Sequence, residues 1–203
     1  MTDSRTLAIR PARDADTDAL YEICRRTADA GQDATDLMSD PRLAGDAWAV
    51  AYLKFAPDFA FVLTAGDAPI GYVLATDDSL AFGARLDRDW WPAARARIEG
   101  REPTSPMDAM AMGRIRHSEP TADWLVKDYP AHLHINVLPQ AQASGWGRRM
   151  IETELDALRA AGVRGVHLGV HPSNTKAMGF YRHVGFTDLS RDGHVIFGMK
   201  FTD

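Results

Sequence analysis

Cys24 is the only thiol in the chain. No internal disulfide can form from one cysteine, and no thiolate metal cluster can be built on it. Long apolar runs are missing as well. No uninterrupted span reaches membrane-helix length, and Met1-Thr2-Asp3-Ser4-Arg5 leads into no apolar leader core. The expectation is a cytoplasmic protein in a reducing compartment, with no membrane partner. Positive charge is also short: 23 Lys and Arg against 28 Asp and Glu give a net charge of −5. That balance argues against a nucleic acid as the main partner. No Gly-Lys-Ser/Thr is present, so a Walker-type phosphate loop would lack its lysine and its Mg²⁺-binding hydroxyl. A Rossmann site is excluded by the glycine spacing and by the lack of a βαβ unit followed by a ribose-binding acid. Repeats and low-complexity tracts are absent.

What is there suits an ordinary globular chain: 203 residues, 45% of them hydrophobic, enough for one domain over 1–203 carrying an insertion. Leu7 to Arg10, before Pro11, reads as a first strand. Asp14 to Ala30 reads as a helix with Leu20, Ile23, Cys24 and Thr27 inward, stopped by Gly31. Gly45 to Phe55 reads as a second helix on Trp48, Ala51, Tyr52 and Phe55. Phe59 to Ala65 and Ile70 to Thr76, joined at Gly66-Asp67, read as a β-hairpin. Residues 77–130 break the pattern, with helical pieces near Ala93–Ile98 and Ala122–Val126 set among Pro103, Pro106 and Pro120. Long connections of this kind are lids or variable excursions.

Order then returns. Leu133 to Leu138 reads as a strand, Gly145 to Ala161 as a helix and Val166 to Val170 as a strand. Asn174 to Val184 reads as a helix with Ala177, Phe180, Tyr181 and Val184 on one face. Phe186 to Leu189 and Val195 to Phe201 close the chain through Asp192-Gly193. Strands interleaved with helices in this order predict an α/β (α+β) fold, a mixed sheet with helices on both faces.

Gln142-Ala143-Ser144-Gly145-Trp146-Gly147 follows a strand broken at Pro139 and opens an amphipathic helix. Backbone N–H groups converge at such a turn, and the helix dipole adds roughly half a positive charge, which makes a phosphate cradle. Glycines also serve plain turns, so the second segment matters: Asn174, Ala177, Tyr181 and Gly185-Phe186, one strand downstream.

Together these segments resemble the GNAT superfamily of N-acetyltransferases. There a strand ending Val-x-Pro (here Val137-Leu138-Pro139) leads into a Gln/Arg-x-x-Gly-x-Gly/Ala loop and a helix, and an Asn-Ala-Tyr-Gly-Phe series follows. Ala143 stands where many members carry another glycine. Asp40-Pro41-Arg42-Leu43, Tyr52, Phe59-Ala60-Phe61-Val62-Leu63, Gly71-Tyr72-Val73-Leu74 and Tyr129-Pro130 resemble, more narrowly, the acetyltransferase-like domain at the C-terminus of O-GlcNAcases and its bacterial stand-alone relatives. The resemblance covers most of the chain, with 77–130 as the outlier between the third and fourth strands. It implies a GNAT fold with a central mixed sheet of about seven strands, splayed in the middle. It also implies acetyl-CoA as cosubstrate and no metal.

The resemblance implies roles for particular residues. Backbone amides from Gln142, Ala143, Ser144, Gly145, Trp146 and Gly147 would bind the pyrophosphate of acetyl-CoA, with Arg148 and Arg149 adding charge-assisted contacts. Solvated arginines on a helix face are the competing reading. Ile135, Asn136 and Val137 would pair their backbone with pantetheine as an added strand, against the plainer reading of a core strand. Asn174 would contact the cofactor, and its residue type equally suits a helix N-cap. Tyr181 would give its proton to the departing thiolate, as a phenol of pKa about 10 can, against the alternative of core packing.

The usual glutamates are missing, because their positions hold Ala131 and Gly169. An alkyl ammonium of pKa about 10.4 must still lose a proton. His132, His134 and Asn136 share a strand face by alternation, and a bulge, common in this strand in the family, would redirect any of them. His171, Asp123 and Asp128 are other candidates. No third ligand makes His132 and His134 a metal pair. Cys24 faces inward and reads as packing rather than as an acyl carrier. Trp90, Trp91 and Trp124 either wall an acceptor site or build a local core or dimer contact. The acidic residues Asp14, Asp16, Asp18, Asp29, Asp33 and Asp36 either favour a cationic acceptor or are solvated charges, the plainer reading.

Two functions therefore stand: transfer of acetyl to an amine of an unknown acceptor, or an acetyl-CoA-binding module without turnover. A monomer and a homodimer are both open.

Overall fold

The computed structural model describes residues 6–142 and 144–201. Its seven strands form one mixed sheet. β1 (Leu7–Pro11), β2 (Ala60–Ala65) and β3 (Ala68–Thr76) run as an antiparallel meander, and β4 (Ala131–Val137) adds antiparallel to β3. The sheet continues through β5 (Gly165–Val170) and β7 (Val195–Lys200) to the two-residue edge strand β6 (Thr187–Asp188). The strand order is β1-β2-β3-β4-β5-β7-β6. Asp192 (φ 53°) and Gly193 (φ 82°) supply the left-handed turn before β7.

β4 and β5 are parallel neighbours, yet they pair only at Ala131↔Val166 and His132↔His167. Beyond those two pairs the strands diverge, and the sheet opens toward the C-terminal end of β4. Against β3, by contrast, β4 stays in register from Thr76↔His132 to Gly71↔Val137 without a shift. No bulge in that pairing redirects His132, His134 or Asn136, and strict alternation keeps the three on one face.

The first helix ends earlier than its periodicity suggests. α1 spans Thr17–Arg25, after a 3-10 turn at Asp14–Asp16. Asp16 is buried there and takes a bidentate contact from Arg10 at 2.7 and 2.9 Å. Past Arg25, the Thr27 hydroxyl donates to the Ile23 carbonyl at 2.7 Å, competing with the helical ladder. The chain then turns through Ala30 (φ 50°) and Gly31 (φ 91°).

The second periodic stretch is two helices rather than one: α2 (Leu43–Trp48) and α3 (Val50–Phe55), broken at Ala49 (φ −129°, ψ −59°). An unbroken helix would tie the Trp48 carbonyl to the Tyr52 N–H. Here Tyr52 N–H bonds Ala49 O at 3.1 Å instead. The Trp48 and Ala47 carbonyls are released to side chains from distant elements, described below. Gly45 in α2 lets the Tyr21 ring close in, since a Cβ there would lie 2.2 Å from it.

Residues 77–130 hold four helices: α4 (Ser79–Asp89), α5 (Trp91–Arg97), α6 (Pro106–Arg116) and α7 (Asp123–Asp128). Two of them, α4 and α6, exceed the short pieces expected. Asp78 caps α4 by accepting from Leu80 and Ala81 N–H. Ser105 caps α6, and Pro106 sits in its first turn, where a missing N–H costs nothing. The segment is fastened to α2 rather than hinged over it. Asp46, 4% exposed, accepts from Tyr21 Oη at 2.7 Å and pairs with Arg97, and its carbonyl accepts from Trp90 Nε1 at 2.9 Å. The C-terminal half is α8 (Trp146–Ala160) after β4 and α9 (Thr175–His183) after β5. Among the described residues no helix is long and apolar enough to cross a membrane.

Candidate active site

The turn into α8 carries the phosphate-cradle features. Gly145 (φ 80°) is the N-cap, in a left-handed conformation open to glycine at no steric cost. The first intrahelical bond runs from Arg149 N–H to Gly145 O, so Trp146, Gly147 and Arg148 N–H point out of the helix end without helical acceptors. Two side chains hold the turn in place. Gln142 Nε2 donates to Val137 O at 2.8 Å, and Ser144 Oγ to Ala141 O at 2.7 Å. Ala143 lies outside the described residues. Arg148 Nε meets Glu152 at 2.7 Å, and the Arg149 guanidinium lies 4.7 Å from the Trp146 ring centre. Both arginines are exposed, and an exposed pair of this kind is worth little, so an anion can compete for it.

The β4 edge lies beside the opening. Leu138 N–H bonds Ile70 O at 2.9 Å, which sets the antiparallel alternation. By that alternation Asn136 and His134 exchange backbone bonds with β3, while Ile135 and Val137 turn theirs toward the gap. The Asn136 side chain is engaged on the β3 side too, donating to Tyr72 Oη at 2.8 Å. Of the three strand residues, Ile135 therefore offers both backbone groups to an extended ligand and Val137 its N–H, the Val137 carbonyl being taken by Gln142.

Tyr181 is 8% exposed and packs among Phe180, Phe186 and Phe197, with ring centres 5.4 to 5.8 Å apart. Burial pushes its phenol well above the usual value. No hydrogen bond engages its hydroxyl among the described residues. Phe197 pairs with Leu168, so Tyr181 approaches the face opposite His132 and His167. Asn174 Oδ1 accepts from Ala177 N–H at 3.0 Å, so the helix-cap role is filled, and its Nδ2 lies 3.8 Å from where Gly31 would carry a Cβ.

On the other face a cavity of about 630 Å³ opens at the divergence of β4 and β5. Trp48, Tyr52, Phe82 and Trp91 form aromatic walls, and His132, His134, His167 and Gly169 border the split. Trp91 is therefore a wall. Trp90 packs on Phe55 and bonds Asp46, while Trp124 sits under Arg191.

The three histidines are neutral for one shared reason, burial, which lowers each of their pKa values. Their hydrogen bonds set the tautomers. Ser79 Oγ lies 2.6 Å from the Pro130 carbonyl, which can only accept, so the Ser79 proton goes there. The Ser79 oxygen then accepts Nδ1–H of His132 (2.7 Å), and His132 Nε2 accepts from Tyr52 Oη (2.7 Å). His134 Nδ1–H donates to Trp48 O at 2.7 Å. His167 donates to Tyr129 O at 2.8 Å and faces the Ala131 carbonyl as well.

Other sequence candidates fall elsewhere. His171 is exposed and bonds Ser173, Asp128 is half-buried and pairs with Lys200, and neither borders the cavity, nor does Asp123. Cys24 is buried, with its thiol pushed up to about 12, which is inert packing. The site residues that sequence reasoning missed are Trp48, Tyr52, Ser79, Phe82, Arg114 and His167. Tyr52 and Trp48 looked like helix core. Ser79 and Arg114 lay in the stretch without clear periodicity.

Comparisons with known proteins agree with this geometry. The model of the acetyltransferase (GNAT) family matches residues 20–186. A crystal structure of SsHAT superposes with a TM-score of 0.85 at 36% identity, over 98% of this chain and 100% of that one. Protein O-GlcNAcase of Rattus norvegicus is 24% identical over 191 residues; the match takes in 93% of this chain and 21% of that protein, so this chain spans about a fifth of it. The PaiA N-acetyltransferase of Thermoplasma acidophilum, solved in complex with coenzyme A, shares the fold at 15% identity, with a TM-score of 0.57 over 97% of this chain and 99% of that one.

Proposed function

The chain belongs to the GNAT acetyltransferase family, and from that premise we propose that it moves acetyl from acetyl-CoA to an amine by direct attack. One observation carries the reading. β4 and β5 pair at two positions and then part, with three free amides of α8 near one end of the gap and an aromatic cavity at the other. A diphosphate ester suits the α8 amides, and a pantetheine arm suits the backbone of Ile135 and the N–H of Val137. An amine entering through the cavity then meets the thioester at the split.

The amine lone pair forms the C–N bond, and the C–S bond breaks as the tetrahedral species collapses. Tyr181, kept protonated by its burial, gives its proton to the sulfur. The loop side chains Gln142 and Ser144 act by fixing the turn, and Asn174 by fixing the start of α9. In this reading the protein is one domain acting in the cytoplasm. The Ala131 and Gly169 positions favour the second reading, a module that binds acetyl-CoA without turnover.

Calorimetry with acetyl-CoA and thiol release with a panel of amines separate the two. Under transfer, Tyr181→Phe loses rate and keeps acetyl-CoA affinity. Thiol release that is the same with and without amine in both proteins leaves the binding module. No heat at millimolar acetyl-CoA rejects both.

A further inference from the structure

We propose that His134 is the base that takes the acceptor's proton, its Nε2 lone pair left free in the cavity wall because the break at Ala49 hands the Trp48 carbonyl to Nδ1. The proposal rests on the acetyl-transfer reading. An amine that reaches the thioester as an ammonium cannot attack it, and the strand positions Ala131 and Gly169 offer no carboxylate. Asp87 and Glu119 border the cavity but stand at its exposed rim, and Asp87 is engaged by Ser118 (2.7 Å).

The histidines remain, and their hydrogen bonds together with their places along the split tell them apart. His132 has both nitrogens engaged, by Ser79 and by Tyr52. His167 gives its Nδ1–H to the Tyr129 carbonyl, but it stands in the last β4–β5 pair, at the root of the split and short of the free edge. Among the described residues His134 is engaged at Nδ1 alone, and it sits two residues past the last β4–β5 pair, next to the free edge at Ile135.

A carbonyl cannot donate, so the Trp48 contact requires a proton on Nδ1 and leaves Nε2 as an acceptor. In a continuous helix that carbonyl would be spent on Tyr52 N–H; here Tyr52 N–H bonds Ala49 O. The groups around the ring are Arg114 from α6, Tyr52 from α3, Tyr72 from β3, His132 from β4 and His167 from β5, with Asp87 and Glu119 at the rim. Burial and the Arg114 charge keep the imidazole neutral. The same surroundings lower the pKa of a bound ammonium, which narrows the gap the proton must cross.

Two protons leave the nitrogen in the full reaction. One passes to His134 Nε2 and on to solvent. The other replaces the proton that Tyr181 has given to the sulfur.

Two measurements test the assignment. Imidazole ¹⁵N spectra at pH 7, assigned with His134→Gln and His132→Gln (or His134→Asn should the glutamine protein not fold), are expected to show His134 neutral and protonated at Nδ1. Protonation at Nε2 overturns the proposal whatever the activity. The second compares acetyl transfer to benzylamine, an ammonium at pH 7, with transfer to the similar but uncharged O-benzylhydroxylamine. His134→Gln is expected to bind acetyl-CoA normally, to lose about 10²-fold in kcat/KM for benzylamine, to regain rate as pH rises, and to lose far less with O-benzylhydroxylamine. An equal loss with both probes, or a benzylamine-selective loss in His132→Gln, overturns it. A wild-type protein that binds acetyl-CoA but acetylates neither probe sinks the transfer reading itself. A transferring protein with Nε2–H on His134 sinks the base alone.

Discussion

Tyr52 and His132 stand 80 positions apart and meet at 2.7 Å, phenol to imidazole Nε2. The contact joins α3 to the last strand position before the sheet opens. Tyr52 is 6% exposed and stacks on Phe82 with ring centres 4.6 Å apart, so losing the hydroxyl leaves the packing in place. Tyr52→Phe strips the one donor that a buried imidazole nitrogen has among the described residues. The expected cost is about 1–2 kcal/mol, read as a lower denaturant midpoint at unchanged slope. Acetyl-CoA affinity should hold, because Tyr52 lies on the acceptor side.

Gly145→Ala tests the α8 turn through its backbone alone. A Cβ at Gly145 meets nothing within 4 Å, so no clash confuses the result. The left-handed φ of 80° is what an alanine resists. Stability should fall by about 1 kcal/mol, and acetyl-CoA affinity should fall with it as the turn relaxes. Unchanged affinity in calorimetry would separate the turn from phosphate binding.

Glu154 on α8 is fully buried, and neither carboxylate oxygen has a hydrogen-bond partner among the described residues. Burial raises its pKa to about 9. Between the unfolded value near 4.5 and that folded value the native state holds a proton that the unfolded state has released. Stability is therefore greatest below pH 4.5 and declines up to about 9, after which this group adds no further slope. At pH 7 the penalty is about 3 kcal/mol. Glu154→Gln keeps the shape and removes the titration. It should raise the unfolding midpoint at pH 8 more than at pH 5, and equal gains at both would refute the assignment.

The strands and the two helix starts of the C-terminal half were legible because their signals are local. Alternation in Leu133 to Val137, the Gly145 turn and the Asn174 cap each occupy a few consecutive residues, and α8, β5 and α9 fall within a residue or two of expectation. The acceptor side was not legible. His134 meets Trp48 across 86 positions, Arg114 meets Ala47 across 67, and His132 meets Ser79 across 53. No periodicity records such pairs. The break at Ala49 was hidden for the same reason, since Trp48, Ala51, Tyr52 and Phe55 keep helical spacing through it while the lost ladder bonds are made good by side chains from β4 and α6. Residues 77–130 misled through their prolines: Pro106 opens α6 instead of interrupting it.

Arg114 offers a last test, of the cavity's field. Its Nε donates to Ala47 O at 2.8 Å, and its charge lowers the pKa of His132, His134 and Tyr52 together. Burial is the larger cause of the depression at both histidines, so removing the arginine should soften it without abolishing it. In Arg114→Gln both histidine pKa values should move up, followed by the imidazole resonances through a pH titration. Arg114 is exposed, so added salt should move the wild-type values the same way, and the variant should respond less. A change in His132 with none in His134 would mean that the guanidinium field does not reach the free lone pair, and the neutrality of His134 would then rest on burial alone.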